Sequence, residues 1–497
     1  MCIRDRSTAC LYFLHRLEAG YGSDEMFTRL LDTRALYICP RINPDGAELA
    51  LAETPRHIRS STRPYPYDEF AVDGLDVRDI DGDGRILQMR IPDPNGAWKA
   101  HPEEPRLLTA RDPVETGGRY WRVLPEGLLQ DFDGVAIHVN PNREGLDLNR
   151  NFPSGWRQEY QQQGAGPYPV SEPEVRAVVD FIAKHPNIGG AVSFHTHSGV
   201  ILRPFSCEPD EAMPPEDLWL YKLFGTKSTE LTGYPNISIF HDFKYHPKQV
   251  ITGGADWIYE HLGMFFWTVE IWAPAREAGI EGYHYTDWYR EHSPADDVKL
   301  LRWSDRELGG EAHIDWYPFE HPQLGPVEIG GWNRLACFRN PPAKYLEREV
   351  RRFPEWLAWQ ALTTPKLEWL SHAVEALGED TWRVRIAVHN TGYLPTYVSR
   401  RGLERKTTRG VAYEIVLPAG ATLVAGKARH IGAQLEGRAN KVSLQSFRLD
   451  ADVTADRGQA EWTVRAPKGA TVTVTARHER AGCVRATLVL ARIDERR

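Results

Sequence analysis

A chain of 497 residues divides into two or three domains at about 150 residues each. A hydrophobic share of 41%, a charged share of 26% and a net charge of −8 describe a globular chain with ample material for a core, and exclude one that is disordered throughout. The mildly acidic balance gives no electrostatic reason to expect nucleic acid or an anionic membrane as the main partner. The longest apolar run, Gly263 to Val269, is strand-sized and far short of the roughly 18 residues of a membrane span. Cys2, Cys10, Cys39, Cys207, Cys337 and Cys483 contain no Cys-x-x-Cys pair, which excludes a thiolate zinc knuckle and indicates no disulfide framework.

The first seven residues carry neither the apolar region nor the small-residue cleavage site of a signal peptide. They run straight into Thr8 to Leu17, where Cys10, Phe13, Leu14 and Leu17 recur at helical spacing. Entry in mid-helix reads as an N-terminal truncation, with Met1 to about Ser7 not native. Asp24 to Leu36 carries a second helical pattern through Phe27, Leu30 and Leu31. Ala35 to Pro40 reads as a buried strand, followed by a turn at Asn43–Gly46. Residues 55 to about 135 are polar, rich in Pro and Gly and weakly periodic, and read as a long insertion. A helix is expected from about Ser171 (Glu172, Glu174, Val175, Val178, Phe181), a strand over Gly190–Phe194 delivering His195, then another helix and the strand Phe265–Trp272. This alternation predicts an α/β fold, a mixed sheet flanked by helices, over residues 1–365.

Residues 312 to 365 are unusually aromatic and read as a docked connector rather than a flexible linker. From Trp382 the pattern turns to period two, with Val384, Ile386 and Val388 alternating with Arg383, Arg385 and Ala387. Ala412–Leu417, Ala460–Val464, Thr471–Ala476 and Val484–Ala491 repeat the style. They predict an all-β sandwich over residues 366–497.

Four groups bear chemistry. His195 and His197 lie two apart on a predicted strand, so both imidazoles should face one way, and neutral imidazole is a common zinc ligand. Two partly buried histidines bonded to neighbours would have the same sequence, although the end of a strand is where α/β sheets place their sites. Glu270 interrupts an almost wholly apolar strand. A carboxylate there is costly unless it is paired or serves a purpose, and burial raises its proton affinity as a general base requires; a salt-bridged glutamate fits equally well. Asn149–Arg150 offers an amide beside a guanidinium, which can hold a planar carboxylate, though the dipeptide alone is unremarkable. Asp79, Asp81 and Asp83 with Gly84 resemble the first half of a calcium loop. The twelfth position is Arg90 rather than Glu, and a solvated Asp-Gly turn fits the same residues.

Together, Asn43–Gly46, Gly145–Phe152, Ser171–Glu174, Ser193–Ser198, Gly253–Trp257 and Phe266–Glu270 occur in an order that resembles zinc carboxypeptidases of the carboxypeptidase A type, over roughly residues 8 to 310. The resemblance implies a carboxypeptidase-like fold and the removal of C-terminal residues from peptides by zinc-bound water. It makes His195 a zinc ligand and Glu270 the catalytic carboxylate. Asn149 and Arg150 would grip the substrate's free C-terminal carboxylate, and Ala255, Asp256 and Trp257 would line the specificity pocket. An arginine would stabilise the oxyanion, with Arg90 the first candidate and Arg143 the second.

Three features depart from that pattern. The other two zinc ligands belong to a His-x-x-Glu segment expected just before Thr8, where none is present; His15 and Glu18 match its spacing but lie inside the following helix. Zinc binding by this chain is therefore expected to be weak or absent. Lys248 stands where the family has a substrate-binding tyrosine, with Tyr245 nearby, and the small Ala255 gives no readable specificity. Two further readings stay open: a catalytically inactive carboxylate-binding module, and a zinc amidase acting on a non-protein or cell-wall substrate. The expected partner is a peptide or protein with a free C-terminal carboxylate, with no nucleic acid, and the resemblance favours a secreted or periplasmic location.

Overall fold

A computed structural model describes residues 5–56, 58–66, 73–141, 143–244, 246, 248–439, 441 and 451–491. At its centre is a four-stranded mixed sheet in the order Gly190–Thr196, Phe265–Ile271, Val200–Arg203, Asn236–Ser238. Phe265–Ile271 runs parallel to Gly190–Thr196 and antiparallel to Val200–Arg203. All its residues are buried, which is why its sequence is a continuous apolar run rather than an alternating one.

Successive side chains still go to opposite faces. Phe265, Trp267, Val269 and Ile271 enter a core with Tyr221 and Phe224 of the helix Pro215–Thr232. Phe266 joins Val200 and Leu202 against Ala255, Trp257 and Ile258 of the helix Gly254–Leu262. Thr268 and Glu270 share the face of Phe266. By the same period Ser193 and His195 share the face of Ala191, which packs in that second cluster. Side chain period alone thus sends His195 and Glu270 to one side of the sheet.

The first two helices span Asp5–Gly20 and Glu25–Thr33, with Asp24 capping the second. Ala35 to Pro40 is not the buried strand expected. It is extended, joins no sheet and is exposed at alternate residues, with Tyr37 packed on Phe181 and His185 of the helix Pro173–Lys184 and its C-cap. Asn43–Gly46 is not a free turn either. Asn43 caps the helix Pro44–Leu51 by accepting from the Gly46 amide at 3.1 Å, with Pro44 in the first turn.

The insertion and the connector prove to be two parts of one structure. A six-stranded antiparallel sheet runs His313–His321, Gly325–Trp332, Gln88–Pro92, Trp121–Pro125, Trp98–Ala100, Leu108–Ala110. Its outer hairpin comes from the connector and the rest from the insertion, joined where Gly325–Trp332 pairs with Gln88–Pro92.

Beyond residue 366, two four-stranded antiparallel sheets share one core. Trp382, Val384, Ile386 and Val388 of the strand Thr381–Asn390 meet Val472, Val474 and Ala476 of the strand Thr471–His478. This unit grips the α/β part through polar contacts. The buried Arg480 guanidinium donates to the carbonyls of Leu262 (2.5 Å), Gly263 (3.3 Å) and Tyr397 (3.3 Å), and Ser399 Oγ donates to Gly263 O at 2.9 Å. These cap the carbonyl end of the Gly254–Leu262 helix, where a cation is also favoured by the helix dipole. Gly263 has φ +58° there, and a Cβ would fall 2.1 Å from Gly402 Cα. Asp217, buried, accepts from the amides of Arg400 (2.7 Å) and Arg401 (2.9 Å). Among the described residues no helix is long and apolar enough to cross a membrane.

Arg480→Met leaves these carbonyls without their charged donor. The expected loss is about 2–4 kcal/mol of stability, read as a lower urea midpoint; an unchanged midpoint would show that the contact between the two units contributes nothing.

Candidate active site

Glu270 lies directly opposite His195 in the parallel register of their strands. Glu270 Oε1 is 3.9 Å from His195 Nδ1, and His195 Nε2 is 3.0 Å from Ser193 Oγ. Burial holds the His195 imidazole well below its ordinary proton affinity, with Arg6 acting in the same direction. His197 does not face the same way. The strand ends at Thr196, so the two-residue period does not reach it. Its Nδ1 meets Tyr289 Oη at 2.9 Å and the two rings lie 4.8 Å apart. Burial, with Arg339 and Arg334, pushes its pKa down to about 3.

Asn149 and Arg150 occupy the 3-10 turn Leu148–Arg150, which Asp147 caps by accepting from the Asn149 amide at 3.0 Å. The buried Asp147 carboxylate also faces Arg59, in an ion pair, and Arg150 Nη1 at 3.6 Å. Burial alone would raise its pKa, but the two guanidiniums outweigh that and hold the carboxyl well below its usual range. Burial likewise lowers the proton affinity of Arg150 while Asp147, Asp256 and Glu270 support its charge. The arginine thus sits in the field of both candidate carboxylates. Gln162, itself buried, anchors the turn: its Nε2 donates to Arg150 O at 2.9 Å, and its Oε1 accepts from Thr252 N (3.0 Å) and Oγ1 (2.9 Å).

The turn abuts the entry of the Gly254–Leu262 helix, where the Gly254 amide donates to Asn149 Oδ1 at 3.0 Å. A Cβ on Gly253 would lie 2.4 Å from that oxygen, so this close approach demands glycine. Asp256 Oδ1 accepts from Ser206 N (2.8 Å), and its Oδ2 from Ser206 Oγ (2.7 Å) and Gly253 N (3.0 Å). Burial nevertheless raises its pKa. Ala255 is buried, and Trp257 stacks on Phe152 with centroids 5.7 Å apart.

The structure brings His195, Glu270, Asn149, Arg150 and the Ala255–Asp256 helix entry into one neighbourhood. It does not bring Arg90. That guanidinium lies in the six-stranded sheet between Trp121 (4.7 Å) and Trp316 (4.5 Å), with Nε bonded to Glu328 at 2.7 Å. Its charge is spent on an ion pair and cation–π contacts, and the oxyanion assignment is withdrawn. Arg143 is exposed and contributes a backbone carbonyl to Tyr65. The arginines joined to the cluster are Arg59, paired with Asp147, and Arg6, whose charge acts on His195. The Asp-x-Asn signature of a capped turn foreshadowed Asp147, but no sequence signal marked Arg59 or Gln162. His15 and Glu18 are exposed on their helix. Lys248 is exposed and Tyr245 lies outside the described residues.

Among the described residues, the one group of three His, Cys, Asp or Glu donors close enough to hold a metal is Asp79, Asp81 and Glu126. A catalytic zinc takes three protein ligands; His195 does not belong to such a set, so the described donors do not fit zinc. The calcium reading also changes. Asp83 turns to Arg85, and the third carboxylate is Glu126, from the loop after Trp121–Pro125. The acceptors are already engaged: Glu126 takes the amides of Ile80 (2.7 Å) and Leu87 (2.8 Å), and Asp79 those of Gly82 (2.7 Å) and Gly84 (2.9 Å). This is a self-bonded Asp-Gly loop.

Comparison with known proteins adds the following. The family described as "Zinc carboxypeptidase" matches residues 6–286, and a domain of unknown function (DUF8731) matches residues 366–489. Carboxypeptidase B2 of Bos taurus is 31% identical over 289 residues, covering 56% of this chain and 50% of the bovine protein. Carboxypeptidase B2 of Rattus norvegicus is 31% identical over 160 residues, 30% of this chain and 36% of the rat protein. The chain thus spans half or less of these relatives. A crystal structure of thrombin activatable fibrinolysis inhibitor aligns with a TM-score of 0.31 and 21% identity, covering 54% of this chain and 50% of that one.

Glu126, buried by the loop, has its pKa pushed up from 4.5 to about 7. A raised carboxyl contributes stability that is complete below about pH 4.5 and is lost as pH rises through 7. The melting temperature should therefore fall between pH 5 and 8, and Glu126→Gln should flatten that slope; equal slopes would refute the assignment.

Proposed function

Because the chain belongs to the zinc carboxypeptidase family, we propose that it recognises the free C-terminal carboxylate of a peptide at Asn149 and Arg150. The adjoining peptide bond is presented to Glu270. The observation that carries this reading is the cluster itself: His195 3.9 Å from the Glu270 carboxylate opposite it in the sheet, and a half-buried arginine in the field of Glu270. A guanidinium fork matches a carboxylate with two parallel bonds. Here Gln162 holds the backbone of the turn and the Asn149 carbonyl accepts from the guanidinium at 3.0 Å, which lowers the ordering cost of binding. A buried carboxylate next to the presented bond is suited to take a proton from an attacking water and deliver it to the leaving amine.

The activity that the family match supports is removal of C-terminal residues from peptides. For the described chain the reading is narrower. Among the described residues, the donors at His195 fall short of a zinc site. Carboxylate recognition at Asn149 and Arg150 is the part of that activity the described residues support.

Arg150→Met should weaken binding of an N-acylated dipeptide about 10- to 100-fold by calorimetry; an unchanged affinity would refute the clamp. Zinc content after equilibration and dialysis, read by plasma mass spectrometry, should be far below one ion per chain. A stoichiometric ion would overturn the narrower reading.

A further inference from the structure

We propose that the open pocket on the outer side of the loop 156–167 is a binding site for a neutral saccharide. This site is separate from the carboxylate clamp and does not depend on it.

The loop has two sides. On the inner one, the buried Gln162 bonds to the Arg150 carbonyl and to Thr252, and the Gly164 carbonyl accepts from the Asp147 amide at 2.9 Å. On the outer one lies a cavity of about 660 Å³, lined by Tyr65, Trp156 and Tyr160, by Gln158 and Gln163, and by Glu159. That volume falls in the range of small-molecule sites, about 300–1,000 Å³. The walls are set by the loop's own bonds. Trp156 Nε1 donates to Ala165 O at 3.0 Å, a carbonyl that Asn151 Nδ2 also holds at 2.8 Å. One Glu159 oxygen accepts from Gly164 N at 2.5 Å and the other from Gly166 N at 3.1 Å. A pocket formed in advance carries a lower ordering cost on binding.

The same bonds fix the chemistry of the ligand. Glu159 is the one charged residue of the lining, and both of its oxygens are taken. Arg63 lies over the Tyr65 ring at 5.7 Å, but its charge is answered by the buried Glu172 at 2.5 Å. An ionic ligand therefore finds no open counter-charge. What the pocket does offer is ring surface and uncharged amides. The Tyr160 ring is 79% exposed, which makes it a platform rather than a core residue. Gln158 and Gln163 are exposed beside it, each with two N–H donors and a carbonyl acceptor. Aromatic faces carry partial negative charge and pack on flat apolar surface. A pyranose ring supplies that surface through its C–H faces, and its rim of hydroxyls both donates and accepts, as the two amides require. A proline-rich strand also stacks on aromatic rings. It needs N–H donors for its carbonyls, however, and the Trp156 indole N–H is already committed to Ala165.

The test is calorimetric titration of the whole chain with three neutral trisaccharides, cellotriose, maltotriose and tri-N-acetylchitotriose, and with decaproline. At least one trisaccharide should bind saturably, and decaproline should not. Tyr160→Ala removes an exposed ring and leaves the core untouched; it should weaken that trisaccharide about threefold to tenfold. Gln163→Ala should weaken it by a similar factor, about threefold to tenfold. Both variants should bind an N-acylated dipeptide at the clamp within about twofold of the unchanged chain. Failure of all three trisaccharides to bind overturns the proposal, as does binding that both variants leave unchanged. Decaproline binding that Tyr160→Ala abolishes overturns it too, by assigning the pocket to a proline-rich peptide. If a trisaccharide binds and the dipeptide does not, the clamp reading fails and this one stands.

Discussion

The carboxylate of Glu270, carried on a strand whose every residue is buried, is the constraint that the surrounding architecture answers. A charge in that position is costly unless other charges and donors meet it. From Glu270 the compensation runs outward with alternating sign: Arg150 feels Glu270, Asp147 lies against Arg150, and Arg59 pairs with Asp147. Arg59 is 45% exposed, so the series ends in water. Asp147 and Glu270 support the charge of Arg150, and Arg59 and Arg150 support that of Asp147. Removing a middle member would strand the charges on both sides of it, and for that reason the site is better regarded as one electrostatic unit than as separate residues.

Position follows from the helix Gly254–Leu262, which is fixed at both ends. At its entry the Gly254 amide bonds to Asn149 and Asp256 closes a capping arrangement on Gly253. At its exit Arg480 and Ser399 take the last carbonyls. The C-terminal two-sheet unit therefore reaches the clamp through one short rigid element. Gln162 completes the frame by tying the Arg150 carbonyl to Thr252, just before that helix. Placement of the clamp thus depends on residues from the beginning, middle and end of the chain.

What could be read from sequence was local. The apolar run around Glu270 and the alternation from Trp382 each lie within a few residues, and both are strands as their patterns predict; the adjacency of Asn149 and Arg150 is equally local, though nothing in it announces the 3-10 turn that carries them. The errors came where a residue's partner is distant. Arg90 was correctly placed on a strand, but Glu328 and Trp316, which take up its charge, lie more than two hundred residues away. The accessory strands were hard to see because several have only three to five residues and their pairing joins insertion to connector. Two differences are of another kind: the strand period stops at Thr196 before it reaches His197, and the Asn43 side chain caps a helix where its sequence suggests only a turn. The third acidic group of the Asp79 loop was sought along the chain at Asp83, whereas Glu126 reaches it from across the sheet.

The separations around Arg150 bear on how a carboxylate could enter. Asp147 pairs with Arg59 within hydrogen-bond range but stands 3.6 Å from Arg150, beyond a proper hydrogen bond. The Arg150 guanidinium donates to Asn149 O at 3.0 Å through Nη1, while a guanidinium carries five N–H donors in all. Asp147 therefore supports the charge of Arg150 electrostatically without consuming its fork. A carboxylate can engage that fork without first displacing Asp147, and the Arg59 pair keeps Asp147 from following it. A tighter Asp147–Arg150 bond would compete with an incoming carboxylate for that fork; the 3.6 Å separation supports the charge of Arg150 without that competition.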